Sequence, residues 1–144
     1  MLSRILETLR KDDAVLFPPV DERSLRFVGS MLASHHFPPI PADYVLLLKI
    51  TDGLLWNGIE LYGSRANDRE ALGYTLPGLI EANLEFASFE AMRGKLLLGR
   101  ASEELFVFDS VDRQYHVIDR LDFSVSCSFP TFSEALYLFI DELF

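Results

Sequence analysis

The chain contains one cysteine, Cys127, in 144 residues. A single thiol cannot close an internal disulfide, so the core alone must hold the fold, and such usage fits a reducing cytoplasm. Long apolar runs are missing too. The longest, Ala135 to Ile140, has six residues, and no segment is expected to cross a membrane because a span needs about 20. Near the N-terminus, Arg4, Glu7, Arg10 and Lys11 interrupt the leucines, which breaks the apolar stretch a secretory signal requires. Basic residues are the minority, 13 Lys and Arg against 22 Asp and Glu, for a net charge of −9. A surface of that sign repels phosphate, so nucleic acid is not an expected partner. Glycine is sparse and never spaced as a P-loop or G-x-G-x-x-G, so no cofactor is expected.

Apolar residues are plentiful, at 49%, with 12 Phe, 5 Tyr and 1 Trp. A chain of this length and composition is expected to bury one core as a single domain over residues 1–144. Leu2, Ile5, Leu6 and Leu9 recur at helical spacing, and Asp12-Asp13 followed by Pro18-Pro19 ends that helix. A second helix is expected over about Asp21 to His36, capped by Asp21. A third starts at Pro41, buries Tyr44, Val45, Leu47 and Leu48, and stops at Asp52-Gly53. Asn57-Gly58 between β-formers predicts a hairpin over Leu54 to Tyr62. Gly63 to Thr75 is expected to be a loop, and Leu79 to Phe89 a fourth helix. Strands are expected at Lys95–Gly99, Leu105–Asp109 and Tyr115–Asp119, with another within Phe123 to Phe129. Thr131 and Glu134 have capping-box spacing before an apolar stripe, Phe132, Ala135, Leu136, Phe139, Ile140 and Leu143. Helices, then meandering strands, then a closing amphipathic helix make the expected class α+β with an antiparallel sheet.

The acidity is concentrated. Residues 101–144 hold two basic and nine acidic side chains, which is −7 of the −9. Turns carrying Glu103, Glu104, Asp109 and Asp112 are expected to make one acidic rim of the sheet. Such a rim can discourage strand-to-strand aggregation, or it can steer a basic partner. Trp56 and Tyr62 flank the hairpin turn. They either pack across the strands or stand exposed as anchors of a binding groove.

No arrangement of catalytic residues is expected. His35 and His36 are adjacent, whereas two ligands on one helical face would sit at i, i+4. His116 lies far along the chain, Cys127 has no cysteine partner, and no metal site is expected. Ser126, Ser128 and Phe129 around Cys127 provide neither a helix N-terminus nor a basic group to activate the thiol.

The stretch Ile40-Pro41-Ala42-Asp43-Tyr44 to Thr51-Asp52-Gly53, followed by a hairpin ending at Ile59-Glu60-Leu61-Tyr62-Gly63, resembles the SUKH superfamily. That superfamily joins fungal cell-wall-synthesis regulators with bacterial immunity proteins. The strand–turn–strand of Leu105 to Asp119 and the closing helix extend the resemblance over most of the chain. It implies a bent antiparallel sheet with helices packed against it, and no catalysis. It also implies neutralisation of a polymorphic toxin, often a basic nuclease, inside the producing cell. The fungal branch implies a regulatory scaffold instead. A small ligand-binding domain would show a deep pocket with converging polar groups. The N-terminal helix before Pro18-Pro19 and the apolar Leu54-Leu55-Trp56 strand depart from the common pattern.

Overall fold

The computed structural model describes residues 1–69 and 73–141. Leu143, placed in the closing apolar stripe, lies outside the described residues. Helix α1 (Leu2–Lys11) buries Ile5, Leu6 and Leu9 and is followed by a short strand β1 (Val15–Leu16). Helix α2 (Glu22–Ser34) starts at Asp21, whose Oδ1 accepts the Ser24 N–H at 2.6 Å. That bond satisfies one of the free donors of the first turn and holds the Asp21 carboxyl below its ordinary range. Helix α3 (Ala42–Leu48) ends at Lys49, earlier than the Asp52-Gly53 stop, and Val45 is only half-buried.

The hairpin β2 (Leu54–Trp56) and β3 (Ile59–Leu61) forms as its turn residues require. Trp56 pairs with Ile59, and Asn57 and Gly58 both take positive φ, 46° and 79°. The segment expected as a loop instead contains β4 (Asn67–Arg69) paired with β5 (Tyr74–Leu76). Polar side chains concealed this hairpin: Thr75 Oγ1 donates to Asp68 Oδ1 across the pair at 2.6 Å. Helix α4 (Leu79–Glu85) is shorter than expected and gives way to a single 3-10 turn at Glu90–Met92.

Strands β6 (Lys95–Arg100), β7 (Glu104–Asp109), β8 (Gln114–Asp119) and β9 (Val125–Phe129) follow as a meander, and α5 (Phe132–Asp141) closes the described chain. The main sheet runs β1-β2-β3-β6-β7-β8-β9, with every neighbouring pair antiparallel. The class is α+β. Strands β6 to β8 each bury four consecutive residues, so both faces of the sheet centre are covered. Phe106, Phe108 and Tyr115 lie on the face that receives α5, where the Phe106 ring is 5.2 Å from Phe139 and 5.9 Å from Phe132.

One carboxylate joins the ends of this fold. Asp43, in the first turn of α3, accepts the Phe132 N–H of α5 at 2.9 Å through Oδ2 and the Tyr115 hydroxyl through Oδ1. It caps a helix 89 residues away, and Thr131 Oγ1 adds a 3.3 Å bond to the Glu134 N–H. Replacing Asp43 with Ala leaves a helix-end donor and a tyrosine hydroxyl without their acceptor. The expected loss is about 2 kcal/mol, read as a lowered urea midpoint with an unchanged slope. An unaltered midpoint would remove Asp43 from this role.

Candidate functional site

Two turns of the meander share one construction. Between β7 and β8, Asp109 Oδ1 accepts the Val111 N–H and Asp112 Oδ1 accepts the Gln114 N–H, each at 2.9 Å. Arg113 takes φ +59° and donates its N–H to the Asp109 carbonyl at 2.8 Å. Ten positions later, Asp119 Oδ1 accepts the Leu121 N–H at 2.7 Å, and Asp122 Oδ1 accepts the Ser124 N–H at 2.9 Å. Phe123 takes φ +61° and donates to the Asp119 carbonyl at 2.9 Å. The Ser124 hydroxyl and N–H lower the Asp122 carboxyl below its ordinary range. These aspartates therefore have a first duty to backbone geometry, for which their short carboxylate is suited. Val111 and Leu121 occupy equivalent tips and are both 85% exposed.

The two turns lie at opposite ends of the sheet, which corrects the expectation of one acidic rim. Successive turns of an antiparallel meander alternate between ends, and Glu104 and Asp109 are separated by the length of β7, about 17 Å. Glu103 and Glu104 therefore group with Asp119 and Asp122, while Asp109 and Asp112 face away from them.

At the first end, Glu104 is directly opposite Asp119 in the β7–β8 pair. Like charges in that position destabilise a sheet. Glu103 and Asp122 add two exposed carboxylates, and Arg120 is the cation within these turns. Among the described residues, none of the four acids makes an ion pair with Lys or Arg. Leu121 projects from the same end, Val125 is 53% exposed beside it, and β9 is the terminal strand of the sheet.

The other end is balanced differently. Asp109 is opposite Lys95 across β6–β7. His116, 6% exposed, sits opposite Ser128 of β9. Its Nδ1 is 2.6 Å from Ser128 Oγ, and its Nε2 is 2.8 Å from Asp112 Oδ2 and 3.9 Å from Asp109 Oδ2. Sequence spacing concealed this grouping. Asp109 and His116 are seven positions apart and meet because the turn folds β8 back, while Ser128 comes from β9.

Trp56 and Tyr62 are not surface anchors. They are 4% and 2% exposed, because β2–β3 is an interior pair flanked by β1 and β6. Trp56 Nε1 donates to Asp12 Oδ2 at 2.9 Å, tying the end of α1 to the sheet. Cys127 is a free, exposed thiol on β9. A cleft of about 370 Å³ between the end of α2 and the 3-10 turn is lined by His35, His36, Phe86, Phe89, Arg93 and Lys95, among others. Among the described residues, no helix is long and apolar enough to cross a membrane. The chain matches no protein-family model and no curated protein.

Proposed function

We propose that this chain is a non-catalytic protein-binding domain that neutralises a basic toxin domain inside the producing cell. The binding surface is the sheet end formed by the β6–β7 and β8–β9 turns. The observation that carries this reading is the Glu104–Asp119 pair. Two carboxylates face each other across the sheet at a cost to the fold, with Glu103 and Asp122 beside them and no Lys or Arg ion pair among the described residues. A basic surface would relieve that repulsion on docking and would be drawn in faster by it. Leu121 supplies an exposed apolar contact at the centre of the charge, and the open side of β9 supplies backbone donors and acceptors. The SUKH resemblance supports the toxin as the class of partner, and the lone cysteine supports a reducing compartment.

The test is whether a toxin domain encoded beside this gene is neutralised by wild-type protein and by the double variant Glu103→Lys/Glu104→Lys. The double variant is expected to associate about tenfold more slowly at low salt and to protect cells poorly. A cation placed at the opposite end, Val111→Lys, on a turn-tip side chain that is 85% exposed, is expected to leave protection intact. Equal protection by the double variant would overturn the placement of the surface. Failure of the wild-type protein to inhibit would overturn the function itself.

A further inference from the structure

We propose that Asp109, Asp112 and His116 form a binding site for one divalent transition-metal ion at the end of the sheet away from the partner surface. The three side chains offer Asp109 Oδ2, Asp112 Oδ2 and His116 Nε2, and one ligand atom from each lies within 4.8 Å of the others. A metal held at about 2.1 Å from each donor sets neighbouring donors about 3.0 Å apart in octahedral geometry and about 3.4 Å in tetrahedral geometry. The observed separations from Nε2, 2.8 Å and 3.9 Å, bracket both.

The atoms that would not touch the ion are already held. Each aspartate spends Oδ1 on a backbone N–H of the turn, which leaves Oδ2 for the ligand. The second ring nitrogen of His116 is held by Ser128 Oγ, the outer partner that metal-bound histidines characteristically have. Coordination requires the lone pair on Nε2, so the ring proton then sits on Nδ1 and donates to Ser128. Binding to a ring that carries its proton on Nε2 releases or relocates that proton.

The turn itself does not explain the histidine. The β8–β9 turn closes with the same two aspartates and the same positive φ, and Ser126 stands where His116 stands in its counterpart. His116 is therefore additional to what the turn needs. Its ring is buried while the Asp112 side chain is 47% exposed, so the remaining coordination positions open to water. One imidazole and two carboxylates suit Zn²⁺, Mn²⁺, Fe²⁺ or Co²⁺ better than Ca²⁺ or Mg²⁺.

The experiment is calorimetric titration of the full chain with Zn²⁺, with Co²⁺ absorbance to report the ligand field. Wild-type protein is expected to bind one ion and to gain thermal stability with it. Asp109→Asn and Asp112→Asn keep the turn-closing Oδ1 and are expected to weaken binding at least tenfold. Ser128→Ala is expected to weaken it about tenfold, as loss of an outer-shell partner does. His35→Ala/His36→Ala and Cys127→Ser are expected to bind as wild type. Absence of saturable binding by folded wild-type protein would overturn the site. So would wild-type affinity in Asp109→Asn, or loss of binding in the His35/His36 or Cys127 variants.

Discussion

Gly63→Ala is expected to unfold the protein or to cost at least about 4 kcal/mol, the range reserved for substitutions that a structure cannot absorb. Gly63 follows β3 where three segments meet. A Cβ there would lie 2.6 Å from both the carbonyl carbon and Oδ1 of Asp52 and closer still to the Asp52 carbonyl oxygen. Neither partner can retreat cheaply. Asp52 grips Ser64 through two bonds of 2.6 Å, one to its N–H and one to its hydroxyl, and the Gly63 carbonyl accepts the Leu79 N–H of α4 at 2.9 Å. Gly53, at φ +97°, approaches from the other side, where its own Cβ would meet the Gly63 nitrogen at 3.0 Å. The chain crosses itself here with room for hydrogen atoms only. Gly29 in α2 is the internal control, since a Cβ there meets nothing within 4 Å. Gly29→Ala is expected to stabilise by up to about 1 kcal/mol through helix propensity. Urea unfolding followed by fluorescence of the one tryptophan, Trp56, measures both. Gly63→Ala at wild-type stability would show that the crossing is looser than described.

Stability is expected to collapse above about pH 10. The Tyr44 hydroxyl is buried and donates to the carbonyls of Tyr62 and Leu98 at 2.5 and 3.2 Å, linking α3 to β6 and the end of β3. Burial pushes its pKa well above the ordinary tyrosine value, and the nearby Asp52 charge adds to the shift. Tyr62 moves the same way, first through burial and then through Glu60. A group whose folded pKa is raised contributes its full stability below the unfolded value and loses it as pH rises beyond that value. Both tyrosines ionise near pH 10 once unfolded but resist it when folded, so together they remove about 3 kcal/mol per pH unit above that point. Tyr115 shifts upward too, through burial and its bond to Asp43. Urea midpoints measured between neutral and strongly alkaline pH should be flat, then fall steeply. Tyrosinate absorbance from Tyr44, Tyr62 and Tyr115 should appear together with the loss of helix signal. Titration of Tyr44, Tyr62 and Tyr115 in the folded protein near pH 10, with unchanged midpoints, would contradict the burial described for them.

Much of the architecture was legible because local chemistry and tertiary structure agree. Asn57-Gly58 demanded a tight hairpin, Asp21 a helix start, and the apolar runs of β6 to β8 a meander of strands; that both faces of those strands are buried came from the structure. Three features were not legible for identifiable reasons. The pair β4–β5 is three residues per strand and polar, so it lacks the alternation that marks a strand. Strand β1 is two residues long and exists only as the edge partner of β2. The His116 grouping depends on Ser128 from a neighbouring strand, which no spacing rule shows. The division of the acidic turns is different in kind. Alternation of turns in an antiparallel meander already separates Glu103 and Glu104 from Asp109 and Asp112, once the strands are taken in order. Counting charges along the chain hid what counting strands would have shown.

That division carries the functional account, and association kinetics test it most directly. A toxin domain encoded beside this gene would be presented to wild type, to Glu103→Lys/Glu104→Lys and to Val111→Lys over a range of ionic strength. Wild type and Val111→Lys should share a steep fall of association rate with salt, while the double variant should start about tenfold lower and respond weakly. Identical salt slopes for all three proteins would mean that the β6–β7 and β8–β9 end is not where the partner lands.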